Sequence, residues 1–399
     1  MNFPLALWQR IRHAPHSLAL TQTFTYYAAF IALGLTTASL GPTLLGLQAQ
    51  TGSALSQISF LFTARSFGYF LGSFLGGRLI DRLPGHRTMA VAVFGIALLL
   101  ATVPTISILW LLIGALFVIG LLEAILDVGG NTLIVWAHRE RVAPYMNGLH
   151  LFFAVGAFLS PLLLQETISR TGNFAWGYWL LAVLLLPVII LLLPLPNPSP
   201  LVSDQKGATS RPNYFLVALI AAFLLLVAGV EISFSGWIFT YVVKTNLADA
   251  ATAAYVNAAF WGAFMVGRIA SIPIAARVRP RVILFADLLL AFVGIAILIA
   301  FPSSPFALWG GTILIGLGMA SAFPTILTFA GRHLTITATV TGLFFGGASV
   351  GSIVTPSLIG QLFERVSPAS VLWVIGVMVV LAMGVFGAIL LYLERKVKQ

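Results

Sequence analysis

Cysteine is absent from these 399 residues and charge is scarce: Asp, Glu, Lys and Arg make up 8% of the chain, with only 11 acids among them. The first absence excludes a disulfide framework and any thiolate metal site. The second excludes an ordinary soluble surface, where about a quarter of residues are charged. No Gly-x-x-x-x-Gly-Lys-Ser/Thr run offers ATP as a driver, and no His-Glu-x-x-His pair offers a metal site. The six histidines are scattered, and the loops are short and poor in His, Asp and Ser. No nucleophile, base and orienting group assemble, so the reading is not an enzyme, with no catalytic residue, no metal and no cofactor. The first 19 residues carry Arg10, Arg12 and His13 but no long apolar core ahead of a small-residue cleavage site. They read as an uncleaved cytoplasmic tail.

What the chain has instead is apolar length. Hydrophobic residues fill 59% of positions, in stretches apolar all round. A bilayer crossing needs about 20 such residues, whereas a membrane β-barrel would show alternating strands of about ten. The pattern predicts an all-α integral membrane protein of twelve helices, at 20–46, 54–77, 88–104, 107–137, 148–168, 175–195, 213–243, 252–275, 281–300, 305–330, 337–362 and 369–393. One Pro/Ser-rich break divides the chain into a six-helix bundle at 1–195, a linker at 196–212 and a second six-helix bundle at 213–399. The second and eighth helices both run through glycines into a basic loop, Gly72 to Arg82 and Gly267 to Arg277, as in two parallel repeats.

A net charge of +10 could suggest nucleic acid, but its placement does not. With the N-terminus inside, sixteen basic residues fall in cytoplasmic segments: Arg10, Arg12, Arg78, Arg82, Arg87, Arg139, Arg141, Lys206, Arg211, Arg277, Arg279, Arg281, Arg332, Arg395, Lys396 and Lys398. Three fall outside, Arg170, Lys244 and Arg365, while Arg65 and Arg268 lie within helices. This bias places both termini in the cytoplasm and the basic face against anionic lipid, in a multi-pass protein of the cell (inner) membrane.

Acids inside hydrocarbon mark function by default, because an unpaired carboxylate there costs several kcal/mol. Asp127 lies about 18 Å of helix from Arg139, and Glu123 lies one turn further out, at about 24 Å, on the same face. Two carboxylates so placed do not both ionise cheaply, so one should titrate or hold a cation; the alternative is permanent neutralisation by an arginine. Arg65 is about 20 Å of helix from Arg78 and needs a carboxylate partner. Glu231 sits about 27 Å into the seventh helix, flanked by Gly229 and Gly236, with Arg268 as the plain partner. Asp287 is six residues from Arg281 and is expected to snorkel or pair there. His150 reads as a helix-end histidine with relay potential. The glycines Gly68, Gly72 and Gly76, with Gly342, Gly346, Gly347 and Gly351, allow close backbone approach.

The run Gly76-Gly-Arg-Leu-Ile-Asp81-Arg82-Leu-Pro84-Gly-His-Arg87 resembles the loop signature of the major facilitator superfamily, with Pro84 as one extra residue. The resemblance implies that Asp81, Arg82 and Arg87, with Arg139, form a charge-paired gate that breaks when the inner side opens. It also implies that the partner of Arg65 is Glu123 or Asp127, and that the glycines from Gly68 to Gly76 and from Gly342 to Gly351 lie between the two bundles and let them rock. Gly41-Pro42-Thr43-Leu44-Leu45, Phe62-Thr63-Ala64-Arg65-Ser66-Phe67-Gly68-Tyr69, Asn147-Gly148-Leu149-His150-Leu151-Phe152-Phe153 through Ser160-Pro161-Leu162, Glu231-Ile-Ser-Phe-Ser-Gly236-Trp237, Phe260-Trp261 with Gly267-Arg268, and Phe323-Pro324-Thr325-Ile326 resemble the sodium-dependent glucose transporter group. Asp127-Val-Gly-Gly-Asn131 is similar to a run in fucose:proton symporters. Those symporters carry a second aspartate in the first helix, where this chain has Tyr26, Tyr27, Thr36 and Thr37, so the coupling ion stays open between H+ and Na+.

The resemblance implies a monomeric secondary transporter that alternates access between bundles. Its expected ion-coupling groups are Asp127, Glu123 and Glu231. Its expected contacts to a small polar solute, a sugar, are Glu231, Trp237, Trp261, Asn131, Asn257, Tyr27, Thr325, Arg65 and Arg268: carboxylates, amides and hydroxyls bond sugar hydroxyls while an indole covers the ring. The alternative on the same fold is a proton-coupled exporter of amphipathic compounds or lipids, which a phenylalanine-dominated cavity would favour.

Overall fold

The computed structural model describes residues 15–200, 213–335 and 337–397, and among them every regular element is helical. In chain order these are α1 (Pro15–Thr37), α2 (Leu40–Thr51), α3 (Leu55–Ile58), α4 (Phe60–Arg82), α5 (Gly85–Thr102), α6 (Leu109–His138), α7 (Val142–Thr171), α8 (Ala175–Leu192), α9 (Tyr214–Lys244), α10 (Ala250–Ala275), α11 (Pro280–Ala300), α12 (Pro305–Ala320), α13 (Ala322–Gly331), α14 (Ala338–Arg365) and α15 (Ser370–Val397). Among the described residues, 11 stretches are long and apolar enough to cross a membrane; the longest, Leu109–Thr171, holds both α6 and α7. The tail residues Arg10, Arg12 and His13, the linker residues Lys206 and Arg211, and Lys398 lie outside the described residues.

Two expected helices are broken. The first divides into α1 and α2 around Ala38–Ser39, and the tenth divides into α12 and α13 at Ser321. In each, the residue four before a proline lies at the break: Ala38 before Pro42, and Ala320, the last residue of α12, before Pro324. A proline has no N–H for the carbonyl four residues back, and its ring crowds that carbonyl. Local hydroxyls take up part of the loss: Ser39 Oγ donates to the Thr36 carbonyl at 2.8 Å.

Helix pairings repeat along the chain. α1 packs on α7 as α9 packs on α14, α4 on α6 as α10 on α12, and α5 on α8 as α11 on α15. The two sets then exchange partners, α7 against α10 and α4 against α14. Glycines make the closest approaches within each set. A Cβ on Gly68 would stand 2.0 Å from the Phe117 carbonyl oxygen, and one on Gly120 would stand 1.9 Å from that of Arg65. Gly347 and Gly351 meet the carbonyls of Ala221 and Leu225 on α9 in the same way, while Gly342 and Gly346 face open space. The glycine ladder therefore welds α4 to α6 and α14 to α9, and does not lie between the two sets as expected. Small residues sit where backbones must touch, and here those are the tight pairs inside each set.

One end of the assembly is sealed between the sets. Glu364 accepts from the Ser56 backbone N–H at 2.8 Å, Gln361 donates to the Ser56 carbonyl at 2.9 Å, and Thr63 donates to the Ile353 carbonyl at 2.8 Å. Trp237, fully buried, stacks on Phe363 with centroids 5.4 Å apart and donates its indole N–H to the Pro356 carbonyl at 3.0 Å.

Candidate solute and ion cavity

A cavity of about 320 Å³ lies between the two sets, walled by α1, α2, α4, α6, α7, α9, α10, α13 and α14. The broken ends of α1 and α2 place Thr37 and Gly41 on it. Phe30, Phe62, Phe153, Phe264, Phe323, Phe345 and Trp261 form its apolar wall, and six ionisable side chains reach it: Arg65, Glu123, Asp127, His150, Glu231 and Arg268.

Arg65 and Glu123 form a two-pronged ion pair. Nε donates to Oε2 at 2.8 Å and Nη2 to Oε1 at 2.5 Å, with Glu123 only 2% exposed. The third donor, Nη1, reaches the Thr37 carbonyl at 2.8 Å. That carbonyl belongs to the last turn of α1, where acceptors lack helical partners and the dipole favours a cation, so the break caused by Pro42 completes the arginine's coordination. Of the two partners the sequence left open for Arg65, Glu123 is the one engaged.

Asp127, one turn along, has neutral partners. Tyr69 donates its hydroxyl to Oδ2, and Asn131 donates Nδ2 to Oδ1 at 2.9 Å and to the Asp127 carbonyl at 3.0 Å. No cation lies within 4.0 Å of this carboxylate among the described residues. Arg65 and Tyr69 are four apart on α4, as Glu123 and Asp127 are on α6, so the two helices meet in successive rungs. The first rung is charge-neutral; the second leaves a carboxylate open to a proton or a small cation.

Across the cavity, Glu231 and Arg268 lie near enough for their charges to interact but close no ion pair within 4.0 Å. The Arg268 guanidinium stands 5.0 Å from the centre of the Phe264 ring. Trp261 Nε1 and Arg268 Nε are buried without a hydrogen-bond partner. Such donors cost about 1–3 kcal/mol each when left unpaired, so a hydroxylated solute has something to gain here.

The Major Facilitator Superfamily model matches residues 26–345. The chain belongs to that superfamily. It is similar to human sodium-dependent glucose transporter 1, at 28% identity over 373 residues, covering 84% of this chain and 72% of that one. Its similarity to the same-named protein of Xenopus laevis is 29% over 356 residues, covering 82% and 72%. A further relative is mouse major facilitator superfamily domain-containing protein 4A, 25% identical over 478 residues, covering 94% and 92%. The crystal structure of the nucleoside transporter NupG shares the fold, with a TM-score of 0.74 at 14% identity, covering 93% of this chain and 99% of that one. The chain is thus a multi-pass membrane transporter of this superfamily rather than an enzyme.

Asp81, Arg82, Arg87 and Arg139, expected as a gate, are all exposed, and none forms an ion pair within 4.0 Å among the described residues. Asp81 and Arg82 lie at the end of α4 opposite the Ser56 contacts.

Arg65, Glu123, Asp127, Glu231, Trp261 and Arg268 come together on the cavity, and the remaining expected solute contacts do not. Trp237 sits six residues after Glu231, about 600° of helix rotation, which turns it off Glu231's face and into the seal. Asn257, fully buried, donates to the Ser235 carbonyl at 2.6 Å behind the wall. Tyr27 stacks on Phe152 at 4.6 Å and donates to the Tyr145 carbonyl. Asn131 acts through Asp127, and Thr325 faces a second, smaller cavity. Two further readings are corrected. Asp287 does not reach Arg281: it is 6% exposed and accepts from Ser321 Oγ at 2.6 Å, because it points at the α12–α13 break rather than along the surface. His150 is no solvated helix-end residue, since α7 begins eight residues earlier, at Val142, and carries it to the cavity wall. Tyr69, Ser66, Ser349 and Ser352 line the cavity without having been singled out.

Proposed function

We propose that the chain is a secondary transporter of a small polar solute, a monosaccharide, coupled to H+ or Na+ through Asp127. The observation carrying this reading is the pair of rungs on the cavity wall: Arg65–Glu123 self-neutralised, Tyr69–Asp127–Asn131 with no cation of its own. A carboxylate at that depth is tolerated when a proton or cation periodically neutralises it. Binding that stabilises the same state as solute binding couples the two. A volume of about 320 Å³ is at the small end of ligand sites, and an aromatic wall with a few directed polar groups suits a sugar-sized solute. The names of the vertebrate relatives support glucose-like cargo and sodium.

In this reading the 63-residue stretch from Leu109 to Thr171 supplies two crossings, giving twelve. Residues 1–195 and 213–399 are two bundles that rock about the cavity as a monomer in the cell membrane, with cytoplasmic termini. The seal at Ser56 is then the closed outer gate, and the separated Asp81 latch is the open inner one.

The exporter alternative draws on the six phenylalanines of the wall. Six ionisable groups on the same wall favour a polar solute instead. A thermal-shift screen of monosaccharides, with and without sodium and across pH, separates the readings. At least one sugar is expected to raise the melting temperature saturably, more so with the coupling cation present, since specific binding stabilises by mass action. Stabilisation by amphipathic cations or lipids with no sugar effect would favour export.

A further inference from the structure

Beside the central cavity lies a second of about 250 Å³, bounded by α7, α10, α11 and α13 and by Arg332 just past α13. Arg268 and His150 wall both cavities, so the two share a partition. The smaller one carries Arg268, Arg332, His150, Asn147, Ser271 and Thr328, with no carboxylate on its wall. Arg268 Nε is buried without a hydrogen-bond partner, and Arg332 is exposed and outside every ion pair within 4.0 Å among the described residues.

Two guanidinium groups with hydroxyl and amide donors, and no carboxylate on the wall, make an anion receptor. Guanidinium donors match the spacing of phosphate oxygens, so a phosphate can be held by two arginines at once. We propose that this vestibule binds a phosphate group between Arg268 and Arg332, either free phosphate or a phosphate monoester from solution, or the headgroup of an anionic phospholipid. Ile269 and Ile272 on the same wall are about half exposed (49% and 48%), which gives a lipid an apolar approach. The site does not depend on which solute fills the central cavity. Its consequence reaches there all the same: an anion on Arg268 competes with Glu231 for that guanidinium and so biases the solute cavity from the inner side.

The test uses the full-length protein reconstituted in phosphatidylcholine or in phosphatidylglycerol vesicles, with inorganic phosphate titrated at constant ionic strength. In phosphatidylcholine, phosphate is expected to raise the melting temperature saturably. Arg332→Gln, an exposed position outside the solute cavity, should weaken that response about tenfold or more, the size of one charged hydrogen bond, while solute exchange persists. Arg332→Lys should restore part of it. A phosphate response of equal strength in both lipids assigns the site to the soluble ligand. A response suppressed in phosphatidylglycerol, where the melting temperature without phosphate is already raised and Arg332→Gln lowers it, assigns the site to the headgroup. No saturable response in either lipid, or a response that Arg332→Gln leaves unchanged, overturns the proposal.

Discussion

Arg65→Ala is expected to destabilise the protein by about 3 kcal/mol or more, because it strips the cation from Glu123, which is 2% exposed. The loss would appear as a melting temperature several degrees lower in detergent or nanodiscs. Adding Glu123→Gln to Arg65→Ala should recover a good part of it, since a neutral amide in that position needs no counter-charge. Transport should not return with stability, because the Arg65 bond to the Thr37 carbonyl, which holds the end of α1 against α4 and α6, is still missing. If the double variant were as unstable as the single one, the bare carboxylate would not be the cause.

Asp127→Asn should have the opposite profile, a stable protein with a functional defect. Asparagine is close to isosteric, and its side-chain oxygen can still accept from Tyr69. It cannot take up a proton or offer a full charge to a cation. Exchange of labelled solute across vesicles with solute on both sides is expected to persist, while uphill accumulation disappears. Unchanged accumulation would remove Asp127 from the coupling step. The matching change at Glu123 should mainly harm stability, because the arginine that neutralises it would then be the uncompensated charge.

Much of the fold was legible because hydrocarbon imposes it: long apolar runs can only be satisfied as helices, and every regular element among the described residues is helical. Prolines alone did not announce the breaks: Pro42 and Pro324 lie just past them, while Pro161, Pro187, Pro273 and Pro356 sit inside continuous helices. The cavity was read in part. Depth along a helix located Arg65, Glu123, Asp127 and Glu231, since charge in lipid has few places to go. Tyr69 was missed although its signal was present: it follows Arg65 by four residues, as Asp127 follows Glu123, so a partner for one rung implied a partner for the next. Trp237 was misplaced because proximity in sequence was used where helical angle decides. The glycine ladder shows the limit of composition: small residues announce a close contact, and only the packing tells which helix makes it. Asn257 and Tyr27 are alike in this, since each sends its donor to a nearby backbone carbonyl rather than to the cavity.

The most direct test of the central claim is initial uptake and plateau accumulation of a labelled monosaccharide by proteoliposomes under an imposed inward gradient of Na+ or of H+. The account predicts that one of the two gradients drives the sugar above its equilibrium level and that an ionophore for that cation abolishes the overshoot. Uptake that reaches the same plateau with and without either gradient would contradict cation coupling and leave only a passive carrier.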